Sequence, residues 1–252
     1  MTEISTAVAD GVGTISFNRP ERRNALSMET LAQLADALDA WKTNDDVIAV
    51  VLTGGEDVFC AGLDLRLQSS FTDQSRTDYC AVNLRAYGAL MEYPKPTIAA
   101  IGGPALGGGL ELAIFCDIRI CADNAVLGLS QIKFGLTSYF SQVYRVVGMS
   151  QAKLMTFTGD RIDLAEALRI GLIDRLVPAG TVIKSATDMA RTIADTGLRS
   201  ALLNKEIALR SPGMDPIGAL TYETLAYQQV IHDPAINDRI QQAFNKIGSR
   251  RG

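Results

Sequence analysis

The spacing of apolar and polar side chains divides this chain into an α/β front and a tail that is helical throughout. Residues 6–17 alternate around Asp10-Gly11, a pattern that predicts a β-hairpin. Later apolar runs of strand length are separated by segments with helical spacing, which predicts crossover connections and parallel pairing. The predicted strands cover residues 47–53, 97–101, 117–122, 125–129 and 173–177, and the predicted helices cover residues 27–41, 79–93, 108–115, 139–147, 150–158 and 163–170.

The remaining segments set the predicted domain organisation. Residues 65–77 are polar and lack a regular period, so a mobile loop is predicted there. After Thr181 the patterns are all helical, over residues 182–195, 200–209, 216–231 and 234–247. A tail of this size is small for an independent core, so we expect it to pack on the front, on another subunit or on both. We therefore predict a core over residues 1–180 and a helical tail over residues 181–252.

The composition is that of an ordinary globular protein, and it argues against a disordered, nucleic-acid-binding, secreted or membrane-spanning protein. Of the 252 residues, 47% are hydrophobic and 21% are charged, which is too apolar for a disordered chain. The net charge of −4 offers no electrostatic basis for nucleic-acid binding. The first residues lack the regions of a signal peptide, and Pro104, several glycines and Glu111 interrupt the apolar residues 97–115. We expect a cytoplasmic protein without a membrane span.

Cysteine and histidine are too scattered to predict a metal centre or a disulfide framework. The four cysteines form no CxxC pair, and His232 is the single histidine. Cys60 lies inside a glycine-centred segment, but no histidine near it in sequence could act as its base. We expect reduced thiols, a packing role for Cys60 and no bound metal.

Two glycine-centred segments carry the clearest chemical signal. They are residues 58–65 (Val-Phe-Cys-Ala-Gly-Leu-Asp-Leu) and residues 102–112 (Gly-Gly-Pro-Ala-Leu-Gly-Gly-Gly-Leu-Glu-Leu). Glycine lets the backbone bend sharply or approach a ligand, and N–H groups at the start of a helix favour negative charge. Two such segments predict an oxyanion hole if they converge, with simple tight turns as the alternative. A P-loop is not predicted, because Leu110-Glu111 follows Gly109 where that motif needs Lys and then Ser or Thr.

Further short motifs accompany these two segments in a characteristic order. They are residues 17–20 (Phe-Asn-Arg-Pro), 24–26 (Asn-Ala-Leu), 50–54 (Val-Val-Leu-Thr-Gly), 59–65, 94–101 (Pro-Lys-Pro-Thr-Ile-Ala-Ala-Ile), 102–119, 165–167 (Ala-Glu-Ala) and 171–174 (Gly-Leu-Ile-Asp). In this order they resemble the crotonase family, also called the enoyl-CoA hydratase/isomerase family, over most of the chain. The resemblance implies an α/β fold, a crotonase-like spiral of ββα units with an all-helical C-terminal trimerisation region. It also implies a homotrimer or hexamer, and an acyl-CoA substrate that reacts through a thioester enolate without a separate cofactor.

The resemblance also assigns the residues expected to carry the chemistry. By position in the motifs, the N–H groups of Leu63 and Gly108 are the oxyanion donors. Glu111 matches the glutamate that works on water in the family's hydratases, and an acid that merely favours the helix start is the alternative. Gln131 departs from the pattern, because two-carboxylate hydratases have a second glutamate there and a glutamine cannot shuttle a proton. Tyr139, in a loop that also departs, is expected to reshape the acyl pocket, with ordinary packing as the alternative.

Coenzyme A itself is expected along the first glycine segment and the loop after the hairpin. The residues assigned to substrate binding are Arg22, Arg23, Ala25, Ala61, Leu63, Asp64, Leu65, Arg66, Gly107, Gly108 and Tyr139. The three arginines are expected to meet the phosphates, with solvated surface charge as the alternative. Asp64 is expected to cap a structural element rather than act as a base, and Lys246 is a further candidate for a phosphate contact.

Several reactions stay open at this point, because they share one oxyanion hole. Hydration of a 2-enoyl-CoA by Glu111 is the first hypothesis. An enoyl-CoA isomerase with one base is an alternative, as is an acyl-CoA decarboxylase, in which loss of CO₂ forms the enolate directly. The last alternative is a protein that binds acyl-CoA without turnover.

Overall fold

The computed structural model describes residues 2–248, without the side chains of residues 243 and 246–248. The strands are β1 Ile4–Ala9, β2 Val12–Phe17, β3 Ala49–Thr53, β4 Thr97–Ile101, β5 Ala105–Leu106, β6 Ile118–Ala122, β7 Leu127–Gly128, β8 Arg161–Ile162 and β9 Arg175–Val177. The α-helices are α1 Met28–Lys42, α2 Leu65–Ser69, α3 Asp73–Met91, α4 Gly108–Phe115, α5 Phe140–Thr158, α6 Leu164–Arg169, α7 Val182–Ala194, α8 Leu198–Arg210, α9 Pro216–Ile231 and α10 Pro234–Gly248.

A six-stranded sheet, ordered β1-β2-β3-β4-β6-β9, organises the first part of the chain. The predicted hairpin is confirmed: β1 and β2 are antiparallel, and Asp10 and Gly11 take φ values of 52° and 75°, as a tight hairpin turn requires. The pairs from β2 to β9 are parallel, as the alternation of strands and helices predicts. Strands β5, β7 and β8 form a small second sheet.

The large sheet has a hydrophobic core on each face. Val50 and Leu52 of β3 enter the larger core, which also contains residues of α1, α3, α4 and α5. Their neighbours Ala49 and Val51 point to the opposite face, where α7 packs. Because α7 covers this face, the first compact unit runs to Thr196, whereas the sequence places the boundary after residue 180.

The largest departure from the predicted elements is at residues 65–77, where the prediction of a mobile loop is wrong. The Asp64 carboxylate accepts a hydrogen bond from the Arg66 N–H at 3.2 Å and begins α2. The Thr72 hydroxyl accepts one from the Ser75 N–H at 3.2 Å, so α3 begins at Asp73 rather than at residue 79. Asp and Thr are strong N-cap residues, but no apolar period accompanies them here, so the pattern does not reveal the helices.

The other differences concern short elements. The two helices predicted over residues 139–147 and 150–158 are confirmed as the two parts of α5, which meet at a kink at Gly148, where φ is 77°. Strands β5 and β8 have two residues each and are absent from the prediction, because two residues cannot show an alternating pattern.

The second compact unit begins at Gly197 and contains α8, α9 and α10. Helices α8 and α9 are joined by a hydrogen bond of 2.7 Å from the Tyr222 hydroxyl to Glu206. Helix α9 exposes the apolar side chains of Ile217, Leu220 and Tyr227. Across residues 2–248, no helix has both the length and the apolar character that a membrane span needs.

A buried lysine closes the end of α1 and supports a stability prediction. The Lys95 ammonium donates to the carbonyl oxygens of Trp41 and Asn44, each at 2.6 Å, at the C-terminal end of α1, where the helix dipole favours a cation. Lys95→Met leaves both carbonyls without this donor, so we expect the free energy of unfolding to fall by about 2–4 kcal/mol in a urea titration. The matched control, Lys184→Met at an exposed site, should change it by less than about 0.5 kcal/mol. Equal losses in the two variants would contradict the prediction.

Candidate active site

The two glycine-centred segments touch each other through their backbones at the start of α4. The Leu106 N–H donates to the Cys60 carbonyl at 3.0 Å. Gly62 has a φ of 88°, and a Cβ there would lie 2.5 Å from the Leu106 carbonyl oxygen and 3.3 Å from the Gly108 nitrogen. A Cβ on Gly109 would lie 2.2 Å from the Cys60 carbonyl oxygen. Only glycine fits at both positions, and this is what brings the segments together.

The convergence leaves two N–H groups side by side. Neither the Leu63 N–H nor the Gly108 N–H donates a hydrogen bond to another residue in the described part of the chain. Gly108 is the first residue of α4, where N–H groups have no partner within the helix. Both residues line the same cavity. Two fixed donors at one cavity wall are the arrangement that stabilises a developing oxyanion.

Glu111 lies in the first turn of α4 and lines the same cavity. It is 6% exposed, and its Oε1 accepts hydrogen bonds from the Tyr139 N–H at 2.8 Å and the Gln131 Nε2 at 2.9 Å. Burial raises the pKa of Glu111 to about 7, against the two hydrogen bonds, which lower it. The group can therefore gain and lose a proton near neutral pH.

Gln131 holds Glu111 in place and does not titrate. Its Nε2 also donates to the Ser138 hydroxyl at 2.8 Å. Its Oε1 is buried and has no hydrogen-bond partner among the described residues. It lies against the backbone of Gly107, where a Cβ would lie 3.4 Å from it.

The cavity has a volume of about 410 Å³ and is walled by aromatic rings near Glu111. Tyr87 and Tyr139 line it, and their rings pack on each other and on the ring of Phe115, which lies outside the lining, at centroid distances of 4.8–5.3 Å. The Tyr87 hydroxyl donates to the Gly108 carbonyl at 2.8 Å, and the Tyr139 hydroxyl donates to Asn83 Oδ1 at 3.0 Å. Within residues 2–248, no group of three or more potential metal ligands comes together.

The structure separates the predicted site residues into two groups. Those that line the cavity are Leu63, Gly108, Glu111, Gln131 and Tyr139. Those that lie outside its lining are Arg22, Arg23, Ala25, Ala61, Asp64, Leu65, Arg66 and Gly107. Asp64 is buried, and its carboxylate caps α2 and pairs with Arg19 at 3.2 Å. Both contacts are structural, as the sequence predicts for this residue. The side chain of Lys246 lies outside the described residues.

Sequence reasoning missed several residues of the cavity wall. They are Gln68, Arg76, Tyr79, Asn83, Tyr87 and Ser138. Gln68 and Arg76 lie in residues 65–77, where the loop prediction removes the helical spacing. Tyr79, Asn83 and Tyr87 lie in the helix predicted over residues 79–93, but nothing in that pattern marks the face that meets the cavity. The Thr72-Asp73-Gln74-Ser75 start signal of α3 could have placed Arg76 and Tyr79 on one helix face.

Comparison with known proteins gives one consistent result. A family model described as Enoyl-CoA hydratase/isomerase matches residues 7–242. The short-chain-enoyl-CoA hydratase of Clostridium acetobutylicum is 34% identical over 220 residues, which are 86% of this chain and 84% of that protein. The crotonyl-CoA hydratase of Syntrophomonas wolfei is 32% identical over 220 residues, which are 86% of this chain and 85% of that protein.

The solved structures agree on the fold. A crystal structure of enoyl-CoA hydratase from Bacillus anthracis superposes with a TM-score of 0.92 at 32% identity and covers 97% of this chain and 96% of that one. This likeness confirms the predicted crotonase-like fold. With the family model spanning nearly the whole sequence, the chain belongs to the enoyl-CoA hydratase/isomerase family, the crotonase family.

Proposed function

We propose that this chain is an enoyl-CoA hydratase, which adds water across the double bond of a 2-enoyl-CoA thioester. One observation carries the proposal: Glu111, a buried carboxylate whose pKa is raised to about 7, shares a cavity with two N–H groups, those of Leu63 and Gly108. An acid–base group that titrates near neutral pH and a pair of fixed donors are what the formation of a thioester enolate requires. The relatives named above for hydration support the same reaction.

In the proposed reaction the thioester oxygen accepts hydrogen bonds from the N–H groups of Leu63 and Gly108. The oxygen of a water molecule attacks C3 while the Glu111 carboxylate takes one proton from that water. The electrons of the C2–C3 double bond move towards the thioester oxygen, and the two donors stabilise the resulting enolate. Protonated Glu111 then returns the proton to C2, so the net change is the addition of one water molecule.

A single carboxylate must perform both proton transfers. Glu111 is the only Asp or Glu that lines the cavity within the described residues. Its Oε1 is occupied by Tyr139 and Gln131, whereas its Oε2 makes no hydrogen bond to another described residue. We therefore assign Oε2 to proton transfer.

The same single carboxylate favours a second candidate, the shift of a double bond between a 3-enoyl-CoA and a 2-enoyl-CoA. This reaction needs one base that removes a proton from C2 and returns it to C4, together with the same pair of oxyanion donors. It needs no activated water and no second carboxylate. Gln131, which cannot titrate, is compatible with it.

A pair of substrates tests the two reactions. Hydration of a 2-enoyl-CoA removes the absorbance of its conjugated double bond, whereas isomerisation of a 3-enoyl-CoA creates that absorbance. Because Glu111 must be ionised to accept a proton, we expect kcat/KM for hydration to fall as the pH falls through about 7. If only the 3-enoyl ester is turned over, the protein is an isomerase and the hydratase proposal is wrong. Release of CO₂ from a carboxylated acyl-CoA alone, or binding of CoA esters without turnover, would refute both.

The remaining parts of the function are also proposed. We assign the CoA phosphates to the exposed side chains of Arg22, Arg23 and Arg66, with coenzyme A entering as part of the substrate and no separate cofactor. We assign homotrimer or hexamer formation to the helical tail, which its exposed apolar side chains on α9 support. A cytoplasmic location stays a prediction.

A further inference from the structure

One face of α3 forms a polar wall of the cavity. Arg76, Tyr79, Cys80, Asn83 and Tyr87 all line it, at the three- and four-residue spacing of a single helix face. A wall that receives a plain alkyl chain would be apolar, because burying unpaired polar groups against hydrocarbon is unfavourable. The polar character of this face therefore favours an acyl chain that carries a polar group of its own.

The two ends of this face differ in their distance from the proposed chemistry. Tyr87 donates its hydroxyl proton to the Gly108 carbonyl, so it marks the end beside the oxyanion donors. In the middle, Asn83 is already engaged by the Tyr139 hydroxyl at 3.0 Å. Arg76 lies three turns before Tyr87, roughly 16 Å along the helix axis at 1.5 Å per residue. Arg76 thus marks the end of the face that is remote from Glu111.

Arg76, its neighbour Tyr79 one turn nearer to Glu111, and Gln68 offer hydrogen-bond donors to a ligand. Arg76 is the only cationic residue that lines the cavity within residues 2–248, and its contact with Asp73 is a solvent-exposed ion pair at 3.6 Å, which holds it weakly. The Tyr79 hydroxyl and the Gln68 amide have no hydrogen-bond partner in the described part of the chain, and both residues line the cavity. Burial raises the pKa of Tyr79, so its hydroxyl stays protonated and can donate.

We propose that the preferred substrate is a 2-enoyl-CoA whose acyl chain ends in a carboxylate, which Arg76 binds together with Tyr79 and Gln68. A guanidinium presents paired N–H groups that match a carboxylate, and the two neutral donors add hydrogen bonds to it. A methyl end would desolvate these donors without replacing their bonds to water. The proposal deepens the hydratase function above and rests on it for the position of the reacting carbons.

The test compares matched pairs of 2-enoyl-CoA esters of equal chain length, one ending in a methyl group and the other in a carboxylate. We expect kcat/KM to favour the carboxylate ester, and Arg76→Gln to reduce that preference by about 10- to 100-fold, the range of a hydrogen bond to a charged group. Arg76→Lys should keep part of the preference, because lysine retains the charge and loses the paired geometry. Arg85→Gln is the matched control, since Arg85 lies on α3, pairs with Asp36 and Asp39 outside the cavity, and should leave the preference unchanged.

Two outcomes would overturn the proposal. A wild-type preference for methyl-ended esters would show that the donors do not meet the acyl end. An equal loss for both esters in Arg76→Gln would place Arg76 on the phosphates of coenzyme A, the other anion that the substrate carries.

A binding measurement separates this proposal from the hydratase assignment. The Cys80 thiol is exposed and lines the cavity, whereas Cys60, Cys116 and Cys121 are buried, so a soluble disulfide reagent should label Cys80 first. The concentration of each ester that halves the labelling rate reports its affinity without any turnover. If no ester is hydrated but the carboxylate esters protect Cys80 more strongly, in a manner that depends on Arg76, then the hydratase function fails and the carboxylate site stands. Equal protection by both esters would refute the carboxylate site.

Discussion

Glu111→Gln should lower kcat for the hydration of a 2-enoyl-CoA by about 10²–10⁴, the usual contribution of a positioned acid–base group. The amide has the same shape as the carboxylate and can still accept the hydrogen bonds that Tyr139 and Gln131 donate to Oε1. It cannot take a proton from water. Turnover of a 2-enoyl-CoA and equilibrium binding of its saturated analogue, measured on the same preparation, check this expectation. The affinity for the analogue should change little, and activity that survives the substitution would remove Glu111 from the mechanism.

The same variant has a signature in stability, which shows whether the fold has been damaged. The folded-state pKa of Glu111 is about 7, against an ordinary value of 4.5, so the folded protein favours the protonated form. The stability that this group contributes is fully present below pH 4.5 and is lost as the pH rises through about 7. A neutral glutamine escapes that loss. Glu111→Gln should therefore be more stable than wild type above pH 7, by up to about 3 kcal/mol, and the difference should shrink on acidification.

Gly108→Pro should lower kcat/KM for the same reaction by about 10²–10³, because it removes one of the two oxyanion donors. Proline is tolerated at the first position of a helix, where the lost N–H has no partner within the helix, and Gly108 occupies that position in α4. Steady-state turnover of a 2-enoyl-CoA provides the measurement.

Gly108→Ala is the matched control, because it adds a side chain and keeps the N–H. A Cβ at this position would lie 3.1 Å from the Tyr87 hydroxyl and 3.2 Å from the Leu26 Cδ1, which are tips of side chains that can move by a few tenths of an ångström. The alanine variant should therefore lose much less activity than the proline variant. Similar losses in both would mean that crowding, and not the missing donor, explains the effect.

The elements with a strong local signal could be predicted from the sequence. The β1–β2 hairpin follows from alternation around Asp10-Gly11, and α1 follows from Ser27, whose hydroxyl accepts the Thr30 N–H at 3.0 Å. The parallel strands β3 and β4 follow from apolar runs that are buried on both faces. Glu111 and the two glycine-centred segments were found because their chemistry depends on contiguous motifs.

The opposite wall of the cavity could not be predicted in the same way. Tyr79 and Arg76 line the cavity through the packing of α3, and nothing in their immediate sequence marks them as cavity residues. The contacts of Gln131 with Glu111 and Ser138 join residues on three different segments. The sequence marks Arg19 only as part of a motif, and does not predict that it bridges Glu3, just before β1, and Asp64, at the start of α2, at 3.2 Å each. Such contacts depend on tertiary structure, which local patterns do not encode.

Gly62 and Gly109 each lie against the backbone of the other glycine-centred segment, and this limits which parts of the site can change. With no side chain between the two loops, the spacing of the paired amides cannot be adjusted by exchanging one residue for another. The helix surface across the cavity carries side chains instead, and Arg76 and Tyr79 there make no hydrogen bond to either loop in the described part of the chain. Reactivity and substrate choice therefore reside on separate pieces of the chain, and a new acyl preference can arise while the enolate-forming machinery stays intact.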